Sequence, residues 1–172
     1  MTKKLASIIT FSLMIFIACN DDDEKTVTGY SGKDVSTQAE IVRDPETKKA
    51  MLNISTDNSW GLYGGCSIID SNMNLDLPFL SGEGKGSFEL GLDIQKRCIF
   101  QFKTNEGQAL IAEKRLPIAG AYNFRDLGGI KNKEGKFIKW GELFRTDEMS
   151  KLTDDDVDYI ASTGLKTTLY ID

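Results

Sequence analysis

Short segments of alternating polar and apolar residues run from Tyr30 to about Arg115, separated by glycine, asparagine, aspartate and serine. They include KAMLNIST, SWGLYGG, GSFELGLDI, RCIFQFKT and ALIAEKRL. A period of two is what a half-buried strand requires, and frequent turn residues favour antiparallel connections. No part of this stretch shows helical periodicity over a useful length. The pattern therefore predicts a small β-sandwich of the Ig-like type over residues 30–116.

The segment RCIFQFKT gives the most specific expectation for a single strand. Because side chains alternate across a strand, one face is predicted to be in the core, with Cys98, Phe100 and Phe102. The other face is predicted to meet solvent, with Arg97, Gln101 and Lys103. The residues 104–107, Thr-Asn-Glu-Gly, then predict a hairpin turn.

The sequence changes character after Leu116-Pro117, where proline suggests a domain boundary. Thr153 and Asp156 have the spacing of a helix N-cap and its N3 partner, as in a capping box. Gly164 is placed to end that helix, and residues 165–172 predict a following strand. The buried stripe of the helix is predicted to hold Val157, Ile160 and Ala161. The predicted fold class is α+β overall, with the opening segment of an α/β domain over residues 117–172.

The first residues form a basic start with Lys3 and Lys4, followed by the apolar run LASIITFSLMIFIA and then Cys19. This run is shorter than the roughly 20 apolar residues of a membrane span. Its end resembles the lipobox of bacterial lipoproteins, so residues 1–18 are predicted to be a signal peptide and Cys19 a lipid anchor. The expected location is exported and membrane-bound through that lipid, at the outer membrane or cell surface, or on the periplasmic face.

Residues 19–29 contain the acidic run Asn-Asp-Asp-Asp-Glu directly after the cysteine. One interpretation is a solvated tether that holds the folded part away from lipid headgroups. The other is a surface-export signal, because the run resembles those of some Gram-negative lipoproteins. The sequence leaves both open.

The chain has no histidine and a formal net charge of −5. The charge argues against nucleic acid as a partner. The lack of histidine excludes Ser/His/Asp catalysis, Cys/His nucleophile pairs and histidine-bearing zinc sites. Cys66 and Cys98 could form a disulfide in an exported protein, or they could be a free buried pair.

Several local patterns have a functional and a structural interpretation. The aspartates at 154, 156 and 158 imitate a calcium loop, but Tyr159 stands where glycine is needed, so helix capping is favoured. The glycine-rich residues 82–86 and Gly135-Lys136 lack the remainder of a phosphate loop and favour turns. A basic cluster is expected to be a solvated hairpin or the border of an anion site. Its members are Lys131, Lys133, Lys136 and Lys139.

The most informative motif is Asn-Phe-Arg-Asp-Leu-Gly-Gly at 123–129. It is followed by Gly135-Lys136, by KWGELFR at 139–145, by Leu152-Thr153 and by the step from Gly164 to Leu165. These elements, in this order, resemble the opening of the bacterial dual-specificity tyrosine/serine protein phosphatase family. The glycine-rich β region also resembles the N-terminal β module of exported members.

This resemblance implies phosphoester hydrolysis by a cysteine thiolate in a Cys-x5-Arg loop, without a metal or an organic cofactor. Loop amides and the arginine would bind the phosphate oxygens and lower the thiol pKa. The residues six positions after the three cysteines are Lys25, Asn72 and Thr104, so none of the cysteines fits. No catalytic residue is predicted, and the expected explanation is a chain truncated before the loop.

The resemblance suggests a supporting role near an active-site face for the matched motif residues. They are Asn123, Phe124, Arg125, Asp126, Gly128, Gly129 and Arg145. A structural role is the alternative, in which Arg125 pairs with Asp126 and the glycines form a tight turn.

The predicted function is that of an inactive N-terminal part of a phosphatase, with phosphorylated proteins or other phosphomonoesters as partners of a completed enzyme. One alternative is a non-enzymatic surface lipoprotein that binds a glycan or a protein through its β-sandwich. Another is a split enzyme, completed by a separate polypeptide.

Overall fold

The computed structural model describes residues 29–44, 46–66 and 76–168. The signal peptide at 1–18, the anchor Cys19 and the tether up to residue 28 lie outside the described residues. Within the described part the fold is mostly β with one helix, which confirms the α+β class.

The strands and the helix follow one another along the chain in a simple order. They are β1 Ser31–Gly32, β2 Ala39–Arg43, β3 Ala50–Ile54, β4 Ser59–Gly65, β5 Leu80–Glu83, β6 Gly86–Leu90, β7 Ile99–Thr104, β8 Gly107–Ala112, β9 Arg125–Asp126, β10 Phe144–Arg145 and α1 Asp154–Ser162. One antiparallel sheet has the order β1-β8-β7-β4-β5 and a second has the order β2-β3-β6. A short antiparallel ladder joins β9 to β10.

The two larger sheets share one hydrophobic core. Leu52 of the three-stranded sheet is fully buried, as are Leu62, Phe100 and Phe102 of the five-stranded sheet. Trp60 closes one side of the core and donates its indole N–H to the carbonyl of Gly84 at 3.1 Å. The Ig-like arrangement and the boundary at Leu116-Pro117 stay predictions.

Strand β7 confirms its predicted core face but not its predicted solvent face. Phe100 and Phe102 are fully buried, and the turn after Thr104 connects β7 directly to β8. On the opposite side, however, Gln101 and Arg97 are only 3% exposed. This expectation was wrong, and for Arg97 the reason is that the chain after residue 112 packs back against it.

Helix α1 begins as the sequence predicts. The Thr153 hydroxyl accepts the Asp156 backbone N–H at 3.2 Å, and the Asp156 carboxylate accepts the Thr153 N–H at 3.0 Å. Gly164 follows the helix with φ +78°, a conformation that costs glycine little and confirms it as the terminating residue.

The buried stripe of α1 was predicted wrongly. Val157 is 51% exposed and Ala161 is exposed, whereas Asp156 and Tyr159 are buried and Ile160 is half-buried. The reason is that the Asp156 carboxylate binds backbone amides of the preceding loop, which turns its side of the helix inward.

The strand predicted at 165–172 is also not observed where it can be examined. Residues 165–168 form no strand, and residues 169–172 lie outside the described residues. A strand requires a hydrogen-bonded neighbour, and none of the described strands pairs with this stretch.

A second hydrophobic cluster lies in the chain after β8. Its buried members are Leu116, Ile118, Ala121, Phe124 and Tyr159. Half-buried side chains of Phe144, Leu152 and Leu165 pack against it. The motif at 123–129 belongs to this cluster through Phe124.

Candidate functional site

The motif at 123–129 lies in a small antiparallel arrangement of three backbone segments. Arg125 is opposite Arg145 in the β9–β10 ladder, and an isolated bridge places Arg115 opposite Arg125 on the other side. The Leu116 N–H donates to the Phe124 carbonyl at 3.1 Å, and the Asp126 N–H donates to the Lys114 carbonyl at 2.8 Å. The segment is therefore fixed on both sides.

One face of this arrangement is buried. Phe124 is 2% exposed, and its ring centroid is 5.8 Å from that of Phe144. Phe124 also belongs to the second hydrophobic cluster. The structure thus gives Phe124 a packing role.

Asp126 lies on the same inner face and is bound by three donors. Its Oδ2 accepts Nη2 of Arg97 at 2.7 Å and the Gly141 N–H at 2.8 Å, while its Oδ1 accepts the Gly128 N–H at 2.7 Å. The side chains of Arg97 and Asp126 are 1% and 0% exposed. Nη1 of Arg97 also donates to the Glu113 carbonyl at 2.6 Å. This buried ion pair connects the motif to Arg97, which lies two positions before β7.

The structure does not pair Arg125 with Asp126, so this part of the structural alternative was wrong. The two are neighbours in β9, so their side chains point to opposite faces. Asp126 is buried while Arg125 is exposed. The partner of Asp126 is Arg97, 29 residues earlier.

The two motif glycines make room for Trp140. A Cβ on Gly128 would lie 2.6 Å from the Trp140 Cα, and one on Gly129 would lie 2.7 Å from its ring. Gly129 also has φ +74°, which disfavours any other residue. The Trp140 indole donates to the Leu110 carbonyl at 3.0 Å, so the glycines let the motif dock on β8.

The outer face carries the remaining motif side chains. Asn123, Arg125 and Arg145 are exposed, and so is Arg115, which no motif included. The structure therefore brings Arg125 and Arg145 together, and it separates them from the buried Phe124 and Asp126.

Asp156 anchors the loop before the motif to α1. Its carboxylate accepts the Ala119 N–H at 2.8 Å and the Gly120 N–H at 2.9 Å, besides the cap bond from Thr153. Burial raises the pKa of the Asp156 carboxyl, but the backbone N–H bonds lower it more, and the pKa lies below its ordinary value of 3.8. Helix capping therefore explains Asp156, and this agrees with the prediction from the sequence, which preferred capping to a calcium loop.

The basic cluster is a hairpin with local charge partners. Ammonium groups lie 3.4 to 3.6 Å from carboxylates in the pairs Lys131–Asp34, Lys136–Glu134 and Lys139–Glu142. The Asn132 side chain closes the turn, and Gly135 has φ +84°. These ion pairs favour the solvated hairpin over an anion site.

Cys66 and Cys98 form a disulfide, with their sulfur atoms 1.97 Å apart. The bridge connects the end of β4 to the residue before β7. Neither sulfur is then a free thiol.

Among the described residues, no group of three or more histidine, cysteine, aspartate or glutamate side chains is arranged to hold a metal ion. The same residues contain no helix long and apolar enough to cross a membrane.

Sequence reasoning missed three residues that shape this site. Arg97 was assigned to solvent, Trp140 was not interpreted, and Arg115 was not noticed. A second buried pair, Arg43 and Glu113 at 2.6 Å, was missed too. A charged residue directly before an apolar strand, as at Arg97, is the one local signal that could have pointed to a buried partner.

Comparison with known proteins gives one family. Residues 116–170 match the model of the tyrosine phosphatase family. The matched part is about a third of the chain and contains the whole motif segment. No curated protein matches, and no solved structure matches. The match supports a relation between this segment and the tyrosine phosphatase family.

Proposed function

We propose that this chain is a lipid-anchored, exported protein of the dual-specificity tyrosine/serine phosphatase type. Its motif segment serves the recognition of phosphomonoesters. The single observation that carries the proposal is the family match over residues 116–170, which includes Asn-Phe-Arg-Asp-Leu-Gly-Gly.

The geometry supports a recognition role for part of this motif. Its inner residues, Phe124 and Asp126, are used for packing and for the ion pair with Arg97. Its outer residues, Arg125 and Arg145, are exposed cations. Cationic side chains with a planar fork of donors are suited to phosphate oxygens.

We further propose that the 172-residue chain alone does not hydrolyse phosphomonoesters by cysteine chemistry. None of its three cysteines is followed six residues later by arginine, and Cys66 and Cys98 are bonded to each other. In the complete reaction a thiolate attacks phosphorus, and an arginine binds the equatorial oxygens. This chain supplies no such pair.

The test is hydrolysis of para-nitrophenyl phosphate by the purified chain, with and without vanadate. The expected result is a rate equal to that of buffer. Vanadate-sensitive turnover would contradict the proposed inactivity. Reading the DNA after the codon for Asp172 in all frames tests the family proposal separately. A His-Cys-x5-Arg sequence would support it, and its absence would favour a binding protein.

The competing function is a non-enzymatic surface lipoprotein that binds a glycan or a protein. The place for a small ligand of this kind would be a shallow cleft of about 310 Å³ between the β region and the motif segment. Its lining includes Glu40, Lys114 and the indole of Trp140. Screening the full chain on an oligosaccharide array tests it, with Glu40→Ala as the variant expected to lose any specific signal.

The β region is proposed to be the Ig-like module of such exported proteins. Support comes from two antiparallel sheets around one core and from a disulfide that fits an oxidising compartment. The lipid on Cys19 and the location at the outer membrane or cell surface rest on the sequence of the first 24 residues alone.

A further inference from the structure

Three arginines lie side by side on neighbouring backbone segments, and they are defined here as the arginine triad: Arg115, Arg125 and Arg145. Arg125 is in the middle, directly opposite Arg115 on one side and Arg145 on the other. Side chains directly opposite in antiparallel segments emerge on the same face, about 5 Å apart at Cβ. The triad is therefore a row of cations on one surface.

The spacing within the triad is close. The Arg115–Arg125 pair is flanked by the bonds from Leu116 N–H to the Phe124 carbonyl and from Asp126 N–H to the Lys114 carbonyl. This pattern defines a non-hydrogen-bonded pair, the type in which opposite side chains come closest. The three guanidinium groups can therefore converge on one small ligand.

Within the part of the chain that the structure describes, no carboxylate neutralises the charges of the triad. None of its guanidinium nitrogens lies within 4.0 Å of a carboxylate oxygen of the described residues. Asp147 is two residues beyond Arg145, but its Oδ1 accepts the Tyr122 N–H at 3.1 Å. Three of the four hairpin lysines, by contrast, have carboxylate partners: Lys131, Lys136 and Lys139. Like charges directly opposite destabilise a sheet, so the row lacks a structural benefit.

The backbone that carries the triad is held by contacts on its other face. Asp126, adjacent to Arg125, is bound by Arg97, Gly128 and Gly141. Phe144, adjacent to Arg145, packs on Phe124. A fixed backbone under flexible cations reduces the entropy lost when a ligand binds.

We propose that the arginine triad is a binding site for the dianion of a phosphomonoester. Guanidinium groups form paired, charge-assisted bonds with phosphate oxygens. A phosphomonoester carries close to two negative charges at neutral pH, because its second pKa is about 6, and this suits a row of three cations. The inference deepens the proposed function, on which the class of ligand rests. The triad itself follows from the register alone.

Calorimetric titration of phenyl phosphate into the full chain at low ionic strength tests the site. Arg115→Gln, Arg125→Gln and Arg145→Gln are each expected to weaken binding about tenfold, since each removes charge-assisted hydrogen bonds. Lys133→Gln is the matched control because it removes one exposed positive charge from the nearby hairpin, and it is expected to change affinity less than about twofold. Equal losses in the control and the triad variants would overturn the proposal, as would unchanged binding in Arg125→Gln.

A folding measurement separates binding from structure. Arg125→Gln relieves repulsion between like charges, so its melting temperature is expected to equal or exceed that of the parent chain. A lower melting temperature together with weaker binding would assign Arg125 a structural role and overturn its part in the site.

The ligand class is tested with phenyl sulfate, a monoanion of the same shape, and by pH. Phenyl phosphate is expected to bind more tightly than phenyl sulfate, and its affinity is expected to rise as the pH increases from 5 to 7 through the second phosphate ionisation of about 6. Equal affinity for the two ligands would overturn the assignment to a phosphomonoester. So would binding to phosphatidylglycerol vesicles that phenyl phosphate cannot displace, because the triad would then be a membrane-facing surface. The full chain could bind phenyl phosphate while the DNA after the codon for Asp172 encodes no His-Cys-x5-Arg sequence. That result would uphold the site and refute the phosphatase proposal.

Discussion

Replacing Asp126 by asparagine should have one of the largest effects on stability in this chain. The carboxylate and the Arg97 guanidinium are 2.7 Å apart with both side chains fully buried. The substitution Asp126→Asn would keep the shape of the side chain but remove its charge. The Asp126 carboxylate now accepts hydrogen bonds from three N–H donors. The amide nitrogen of asparagine is itself a donor, so it would face at least one of these three without forming a hydrogen bond.

The expected cost follows from the isolated cation that remains. Breaking a buried ion pair by removing one partner costs about 3–5 kcal/mol, because Arg97 stays buried without a counter-charge. The matched control is Glu89→Gln, which breaks the exposed Lys49–Glu89 pair at 2.8 Å, with side chains 55% and 51% exposed. Such a pair contributes about 0.2–1 kcal/mol.

Urea unfolding measures both variants. Fluorescence reports on Trp60 in the core of the sheets and on Trp140, which lies against Gly128 and Gly129 of the motif. Asp126→Asn is expected to lower the free energy of unfolding several times more than Glu89→Gln. The double variant Arg97→Met, Asp126→Leu should recover only part of the loss. It removes the unpaired buried charge, but it leaves the Gly128 and Gly141 N–H groups without their acceptor. An equal, small effect of Asp126→Asn and Glu89→Gln would refute the reasoning.

Three further predictions concern other parts of the chain. Because the folded-state pKa of Asp156 is lowered, its contribution to stability is complete above about pH 3.8 and is lost as the pH falls below that value. In thermal melts, Asp156→Asn should therefore be less stable than the parent chain at pH 7 and should lose less stability on acidification. Intact-protein mass spectrometry with a thiol reagent should find Cys66 and Cys98 unreactive until reduction, and labelling of either without a reductant would contradict the bridge. Reduction should lower the free energy of unfolding by about 3–4 kcal/mol, given the separation of 32 residues between the two cysteines. Metabolic labelling with a palmitate analogue should modify the chain in a bacterial host and fail in Cys19→Ser, and labelling that persists in this variant would refute the anchor.

Local patterns predicted the elements that depend on neighbouring residues. The core face of β7, with Phe100 and Phe102, follows from a period of two. The cap of α1 follows from the spacing of Thr153 and Asp156. Both are decided within a few residues, so the sequence contains all the necessary information.

Long-range contacts could not be predicted in this way. The partner of Asp126 is Arg97, 29 residues earlier in the chain. The alternation of side chains in RCIFQFKT assigned Arg97 to the solvent face, so no buried partner was expected there. The apolar stripe of α1 was misplaced because three backbone amides, and not hydrophobicity, turn Asp156 inward. Arg115 joins the triad through a single bridge, for which no local pattern exists.

The central claim is that the motif segment binds phosphomonoesters and that this chain does not hydrolyse them. A ³¹P NMR spectrum of phosphotyrosine, followed over a day with the full chain present, tests both parts at once. The account predicts that the phosphotyrosine resonance shifts or broadens and that no inorganic phosphate signal develops. An unaffected resonance, or inorganic phosphate that accumulates unless vanadate is added, would contradict it.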